Sequence, residues 1–154
     1  MLTLQKLTET GDTIVEVLIS IAVVSLVLGG AYVTTNKSLQ GTRDAEERGN
    51  AIKLSESQLE LLKAMLSDPT NAAAVDGKTT DFCITQSGGA FALPAAGTTA
   101  CRLDARGVQK STGEPAFNVS VHKSGSDVYA IKTTWNSILK GVNNVQLTYR
   151  TYAQ

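Results

Sequence analysis

The chain is poor in the residues that most catalytic and cofactor chemistry needs. Among 154 residues there are one histidine, two cysteines, one tryptophan and three prolines. Without a CxxC, HExxH or GxxxxGK[ST] pattern, the usual ligand sets for zinc, dithiol redox chemistry and nucleotide phosphates are missing. An excess of charge is missing as well. Fourteen Lys and Arg balance fourteen Asp and Glu, so no net field draws the chain to nucleic acid or acidic lipid. The composition leans away from an enzyme, and it calls for no cofactor and no metal. Apolar residues are not scarce: at 42% they are ordinary for a folded chain, with room for one domain and an appendage.

Those apolar residues are unevenly spread. From Ile14 to Val33 twenty residues carry one charge, Glu16. As a helix rising 1.5 Å per residue this run covers about 30 Å, the thickness of a bilayer's hydrocarbon core. Ahead of it lies a short polar leader, Met1 to Gly11, whose charges are Lys6 and Glu9. Behind it, Thr34 to Leu66 has mixed charge and no proline. There Ala45, Ile52, Leu59 and Leu66 recur at sevens, with Leu62 between, and Leu54, Leu61 and Met65 form a second row. That is an amphipathic stripe, wide enough in its later half to need cover from a packed head. One helix from about Asp12 to Leu66 is expected, stopping at Ser67-Asp68-Pro69, because proline excludes the helical conformation of the residue before it and cannot donate the i to i−4 bond. Gly29-Gly30 is its weakest point, at about 1 kcal/mol per glycine relative to alanine. Such glycines either soften the helix or serve close packing in a membrane.

From Asn71 onward, short apolar alternations separated by turn residues predict strands. Phe82 to Thr85 and Ala100 to Leu103 are candidates for a pair. Phe117, Val119 and Val121 alternate with polar neighbours. After the turn Ser124 to Asp127, the stretch Val128 to Trp135 puts Tyr129, Ile131, Thr133 and Trp135 on one face. Val142 to Tyr152 puts Val145, Leu147, Tyr149 and Thr151 on one face. The segment Gln86 to Thr99 has no period and reads as a surface loop. The expected fold is α+β: a long N-terminal helix, its first half transmembrane, packed on a small C-terminal antiparallel sheet. Its parts are a leader (1–11), a transmembrane and assembly helix (12–33), the amphipathic half of the same helix (34–68) and a β-sheet head (69–154).

Cys83 and Cys101 both fall in strand-like segments of a head expected outside the membrane. A disulfide between them would stabilise the head by about 3 kcal/mol in the chain-entropy model; two reduced core thiols are the alternative if the head faces the cytoplasm. His122 belongs to the polar face of its strand and reads as exposed. Asp76-Gly77-Lys78 and Ser124 to Asp127 lack the acidic density of a calcium loop.

Glu16 is the chemical oddity of the apolar run, since an acidic residue within a membrane helix costs roughly 2.5–3.5 kcal/mol. Its place in the first turns of the helix suits the macrodipole and reaches toward the interface, which is the bland explanation. A secretory signal fits the segment poorly, because the apolar run is too long and the leader has little positive charge. The sequence Gly11-Asp12-Thr13-Ile14-Val15-Glu16-Val17-Leu18-Ile19 resembles the N-terminal signature of type IV pilins and pseudopilins. That resemblance implies cleavage between Gly11 and Asp12 by a prepilin peptidase, methylation of the new amino terminus, and a glutamate at the fifth mature position, where Glu16 stands. It departs from the family in starting the mature chain with Asp12 rather than phenylalanine, in its single leader lysine, and in lacking a helix-kinking proline, whose role Gly29-Gly30 could take. The last strand, with Trp135 upstream and Tyr149-Arg150-Thr151-Tyr152 at its end, is similar to pilins of candidate-phylum bacteria such as Saccharibacteria.

The resemblance implies a structural subunit of an extracellular pilus or pseudopilus, serving adhesion, twitching motility, DNA uptake or secretion. It would sit in the membrane with its leader cytoplasmic, then join a filament. The partners implied are the prepilin peptidase, the pilus assembly platform, the membrane and copies of itself or other pilins, with a surface or DNA ligand unidentifiable from these residues. In this reading the free amine at Asp12 is neutralised by Glu16 of a neighbouring subunit, far cheaper than burying either charge alone. Asp12 itself adds a competing carboxylate. The alternative is a monomeric single-pass anchor displaying a small binding domain.

Overall fold

The computed structural model describes residues 14–111, 116–125, 127–137 and 141–151. The fold is α+β. By internal contacts the chain divides at Gly41 and Thr42, inside its long helix, into two units. The described part of the first unit belongs to helix α1, which runs from Ile14 to Leu66 without interruption. No proline interrupts it, and Gly29 and Gly30 keep ordinary helical backbone.

The second unit holds the end of α1, a short helix α2 (Pro69–Asp76), a two-stranded hairpin of β1 (Thr85–Ser87) and β2 (Ala90–Ala92), and a four-stranded antiparallel sheet. That sheet is formed by β3 (Arg102–Leu103), β4 (Phe117–Lys123), β5 (Val128–Ser137) and β6 (Gly141–Arg150), paired in sequence order. The expected stop at Ser67-Asp68-Pro69 is where α1 ends. The same three residues also start α2, which the strand reading of this region overlooked: Asp68 is its N-cap, with Oδ1 accepting from the amide of Thr70 at 2.8 Å, and Pro69 opens the first turn, where a missing N–H costs nothing.

The stripe on α1 is rotated from its expected position. Ala45 is exposed and Ile52, Leu59 and Leu66 only flank the core, while Ala51, Leu54, Ser55, Gln58, Leu62 and Met65 are buried. Counting apolar residues alone misplaced the seam because two of its members are polar and find partners inside. Ser55 Oγ lies 2.7 Å from Thr133 Oγ1 and also donates to the carbonyl of Ala51, and the Gln58 amide bonds the backbone of Ile84 at both ends. Leu54, Leu62 and Met65 meet Val75 of α2, Phe82, Ile84, and Val119, Val121, Tyr129 and Ile131 of the sheet. Each large aliphatic side chain buried there contributes roughly 1.5–3 kcal/mol relative to exposure.

The alternation read for β4, β5 and β6 is the observed one. Tyr129, Ile131, Thr133 and Trp135 are buried on one face of β5, and Val145, Leu147 and Tyr149 of β6 are half-buried on the same side. Two strand readings need correction. Phe82 to Thr85 does not pair with Ala100 to Leu103: β3 pairs with β4, and Phe82 bridges Val121 and Ala95 instead. The stretch Gln86 to Thr99 is not wholly loop, since β1 and β2 form a hairpin there around Gly88-Gly89. Both glycines have positive φ, the conformation a tight two-residue hairpin turn requires and other residues resist.

Candidate functional site

The first unit carries the candidate assembly segment. Its helix is long and apolar enough to cross a membrane, and the apolar side chains from Ile14 to Val33 are exposed. Leu26, for example, is 77% exposed, which water disfavours and a lipid or a bundle of helices accepts. The serine and threonine hydroxyls in and just after this stretch are already satisfied within the helix. Ser20 donates to the carbonyl of Glu16, Ser25 to Ile21, Thr34 to Gly30 and Thr35 to Ala31, all at 2.7–2.9 Å. These bonds adapt hydroxyl side chains to surroundings without water. Glu16 is the one side chain from Ile14 to Val33 with a formal charge. Glu16 lies in the first turn of α1 and is exposed. A Cβ added at Gly29 or Gly30 would meet no atom within 4 Å, so packing within the chain does not require glycine at either position. Gly11 and Asp12, the expected cleavage site, lie outside the described residues.

In the second unit Cys83 and Cys101 form the disulfide, fully buried. It joins the segment after α2 to the short 3-10 turn Thr99–Cys101 that leads into β3. Three further connections tie down the first of these segments. Phe82 exchanges backbone bonds with Val121, the Cys83 amide donates to the Pro94 carbonyl at 3.0 Å, and the Ile84 amide donates to Gln58 Oε1 at 2.9 Å. Cys83 was legible in the sequence; Gln58 was not, because a lone glutamine on a helix gives no sign of the backbone it will satisfy.

A polar cluster also escaped sequence reading. Lys123 Nζ donates to Asp76 Oδ1 at 2.7 Å, and the Tyr129 hydroxyl donates to the same oxygen at 3.3 Å. The Lys123 hydrogen bond holds the Asp76 carboxyl below its ordinary value, while burial, reinforced by the Asp76 charge, pushes the Tyr129 phenol up to about 12. His122 is exposed, as expected, with Nδ1 2.7 Å from Asp81 Oδ1. Beside it is a shallow pocket of about 250 Å³ lined by Lys78, Thr79, Thr80, His122, Lys123 and Gly125. Its basic side chains already have partners: Lys78 the Leu93 carbonyl, Lys123 Asp76, and His122 Asp81. On the other side of the head Trp135 Nε1 donates to Glu47 Oε2 at 3.0 Å and Ser137 Oγ lies 3.4 Å from Asp44 Oδ1, so the start of the head's helix is fastened to β5 by polar contacts. Among the described residues no group of three or more His, Cys, Asp or Glu side chains is placed to hold a metal ion. Compared with protein-family models, curated proteins and solved structures, the chain matches no family model, no curated protein and no solved structure.

Proposed function

We propose that this chain is a structural subunit of a type IV pilus or pseudopilus, cleaved after Gly11 and polymerised through its N-terminal helix. The observation that carries the reading is a membrane-length exposed apolar run, Ile14 to Val33, whose single charge, Glu16, stands five residues after a glycine-terminated leader. A prepilin peptidase removes residues 1–11 on the cytoplasmic side, the assembly platform extracts the processed subunit from the membrane, and copies of it or other pilins pack helix to helix in the filament. The role is mechanical and not catalytic. Glu16 neutralises the amine of Asp12 on a neighbouring subunit, so that subunits displaced along the filament axis select one another. The satisfied hydroxyls of Ser20 and Ser25 support this reading, because they leave the carboxylate as the one strong polar determinant within the apolar bundle.

The test is Glu16→Ala, expressed with a prepilin peptidase and an assembly system. Insertion and cleavage after Gly11 are expected to proceed, whereas sheared filament subunit is expected to be lost while processed subunit stays in the membrane. For a monomeric surface anchor the same substitution removes a membrane charge costing roughly 2.5–3.5 kcal/mol, and display is then unchanged or improved. Normal filaments from Glu16→Ala refute the charge pairing. A native amino terminus at Met1 refutes the processing step and with it the pilin reading.

A further inference from the structure

The sheet carries charge of one sign. Strands β3 to β6 contain no Asp or Glu, and their formal charges, Arg102, Lys123, Lys132 and Arg150, are all positive. Lys123 turns toward α2 and pairs with Asp76. The other three share the face turned away from α1, because the register links Arg102 to Asn118 and Thr134, Lys132 to Ser120 and Gln146, and Arg150 to Val128, in rows that alternate with the buried ones. Strands about 4.8 Å apart with a rise of about 3.4 Å per residue set Lys132 about 12 Å from Arg102 and about 14 Å from Arg150, along one diagonal. Among the described residues neither Lys132 nor Arg150 has an ion-pair partner. The carboxylate set against this face, Asp81, is held by His122, and the charge of Asp127 bears on Tyr129, which belongs to the other face. Beyond β3 the Lys110 amide donates to the Arg102 carbonyl at 2.8 Å, which extends the row to a fourth cation beside an open cleft of about 500 Å³ lined by Thr99, Gln109, Lys110 and Ser111.

We propose that this outer face binds an acidic polysaccharide, laid across the strands from the β3 border to Arg150. The spacing of the cations selects the class of polymer. A nucleic-acid strand carries a charge about every 3.4 Å and stacks its bases on aromatic rings, which calls for denser cations and for rings on the same face. The aromatic residues of the sheet, Phe117, Tyr129, Trp135 and Tyr149, all belong to the rows that face α1. A chain in which uncharged sugars separate the carboxylates matches cations set one or two strands apart. Around and between those cations stand Asn118, Ser120, Asn144, Gln146 and Thr148, whose amides and hydroxyls donate to and accept from sugar hydroxyls. Lys132 and Arg150 break no ion pair on meeting a carboxylate, so only the loss of hydration opposes the contact. The cleft beside Lys110 receives the end of the chain that passes beyond β3. All these residues belong to the second unit, so the inference does not depend on how the first unit assembles and is independent of Glu16.

The test uses the full, detergent-solubilised chain and immobilised hyaluronan, a polymer in which an uncharged sugar separates successive carboxylates. Wild type is expected to bind it at low ionic strength, to leave uncharged dextran unbound, and to bind more weakly at about 0.15 M salt, where charges more than about 8 Å apart are largely screened. Lys132→Glu and Arg150→Glu each replace an attraction by a repulsion, and each should lower the affinity roughly fivefold. Lys132→Arg should retain it. Lys53→Glu, the same change of charge at an exposed position of α1, is the control and should stay within about twofold of wild type. Circular dichroism confirms that each variant is folded as wild type is. Failure of wild type to bind hyaluronan at low salt overturns the proposal. So does Lys53→Glu losing as much as Lys132→Glu, which makes the effect one of net charge. Single-stranded DNA binding more tightly than hyaluronan at equal salt overturns it as well, because the face then reads a nucleic acid.

Discussion

Replacing Gln58 by leucine tests whether a polar residue in the seam holds the head together. The side chain is 4% exposed, and its amide donates from Nε2 to the Ile84 carbonyl and accepts at Oε1 from the Ile84 amide, each at 2.9 Å. Ile84 is itself buried, so neither backbone group can turn to water when the glutamine is removed. A buried group left without its partner costs about 1–3 kcal/mol, and two such groups outweigh the roughly 1 kcal/mol that extra apolar burial by leucine returns. The expected net loss is about 2–4 kcal/mol, or on the order of 10 °C in the thermal midpoint of a unit this size. Thermal and denaturant unfolding followed by circular dichroism measure it. Glu56→Leu, exposed on the same helix, is the control and should stay within about 0.5 kcal/mol of wild type. Hydrogen exchange at the Ile84 amide should also accelerate in Gln58→Leu. A variant as stable as wild type, with the Ile84 amide still protected, refutes the reasoning, because it means the segment is fixed by its other connections alone.

Reducing the Cys83–Cys101 disulfide, which spans a sequence separation of 18, should lower head stability by about 3 kcal/mol, read as a shift in denaturant midpoint; an unchanged midpoint excludes a stabilising role. At alkaline pH the raised phenol of Tyr129 favours the folded state fully below the ordinary value of 10.0, and that contribution is lost as pH rises toward about 12. Tyr129→Phe should remove this part of the alkaline destabilisation in thermal melts, and an identical pH profile would contradict it. On the acid side Asp76, held low by Lys123, and Asp104, held low by the backbone amide of Val108, stabilise the head above their ordinary value of 3.8 and lose that effect as pH falls through their folded values. Asp76→Asn should therefore flatten the acid limb of the stability curve, and an equally steep limb in the variant counts against the Asp76 contribution.

What was legible in the sequence followed periods and chemistry that need no tertiary partner. The apolar run, the proline stop, the alternation of β4 to β6 and the two cysteines each declare themselves locally. What was not legible depended on partners distant in sequence. Ser55 and Gln58 belong to no apolar row, and only Thr133 and Ile84 brought against them explain their burial, which turns the helix seam away from the row Ala45, Ile52, Leu59 and Leu66. Helix α2 was hidden because Pro69 was read only as the end of one helix, when a proline preceded by a capping aspartate is equally the start of another. The β1–β2 hairpin was hidden because its strands are three residues each, too short for a period to register, although Gly88-Gly89 was the turn signal available.

The features that point to a filament subunit differ in how well they separate it from an anchored monomer. A membrane-length helix, a disulfide-closed head and a core completed within residues 42–154 serve either role equally well. Glu16 does not. An anchor gains nothing from a carboxylate in the apolar run, and alanine there would insert more readily. A filament needs a feature that distinguishes one axial displacement of its neighbours from all others, which uniform apolar packing cannot supply because every displacement buries similar area. One charge per helix meeting one opposite charge per neighbour supplies that distinction. The internal bonds of Ser20, Ser25, Thr34 and Thr35 sharpen it, since hydroxyls spent on their own helix offer no competing register.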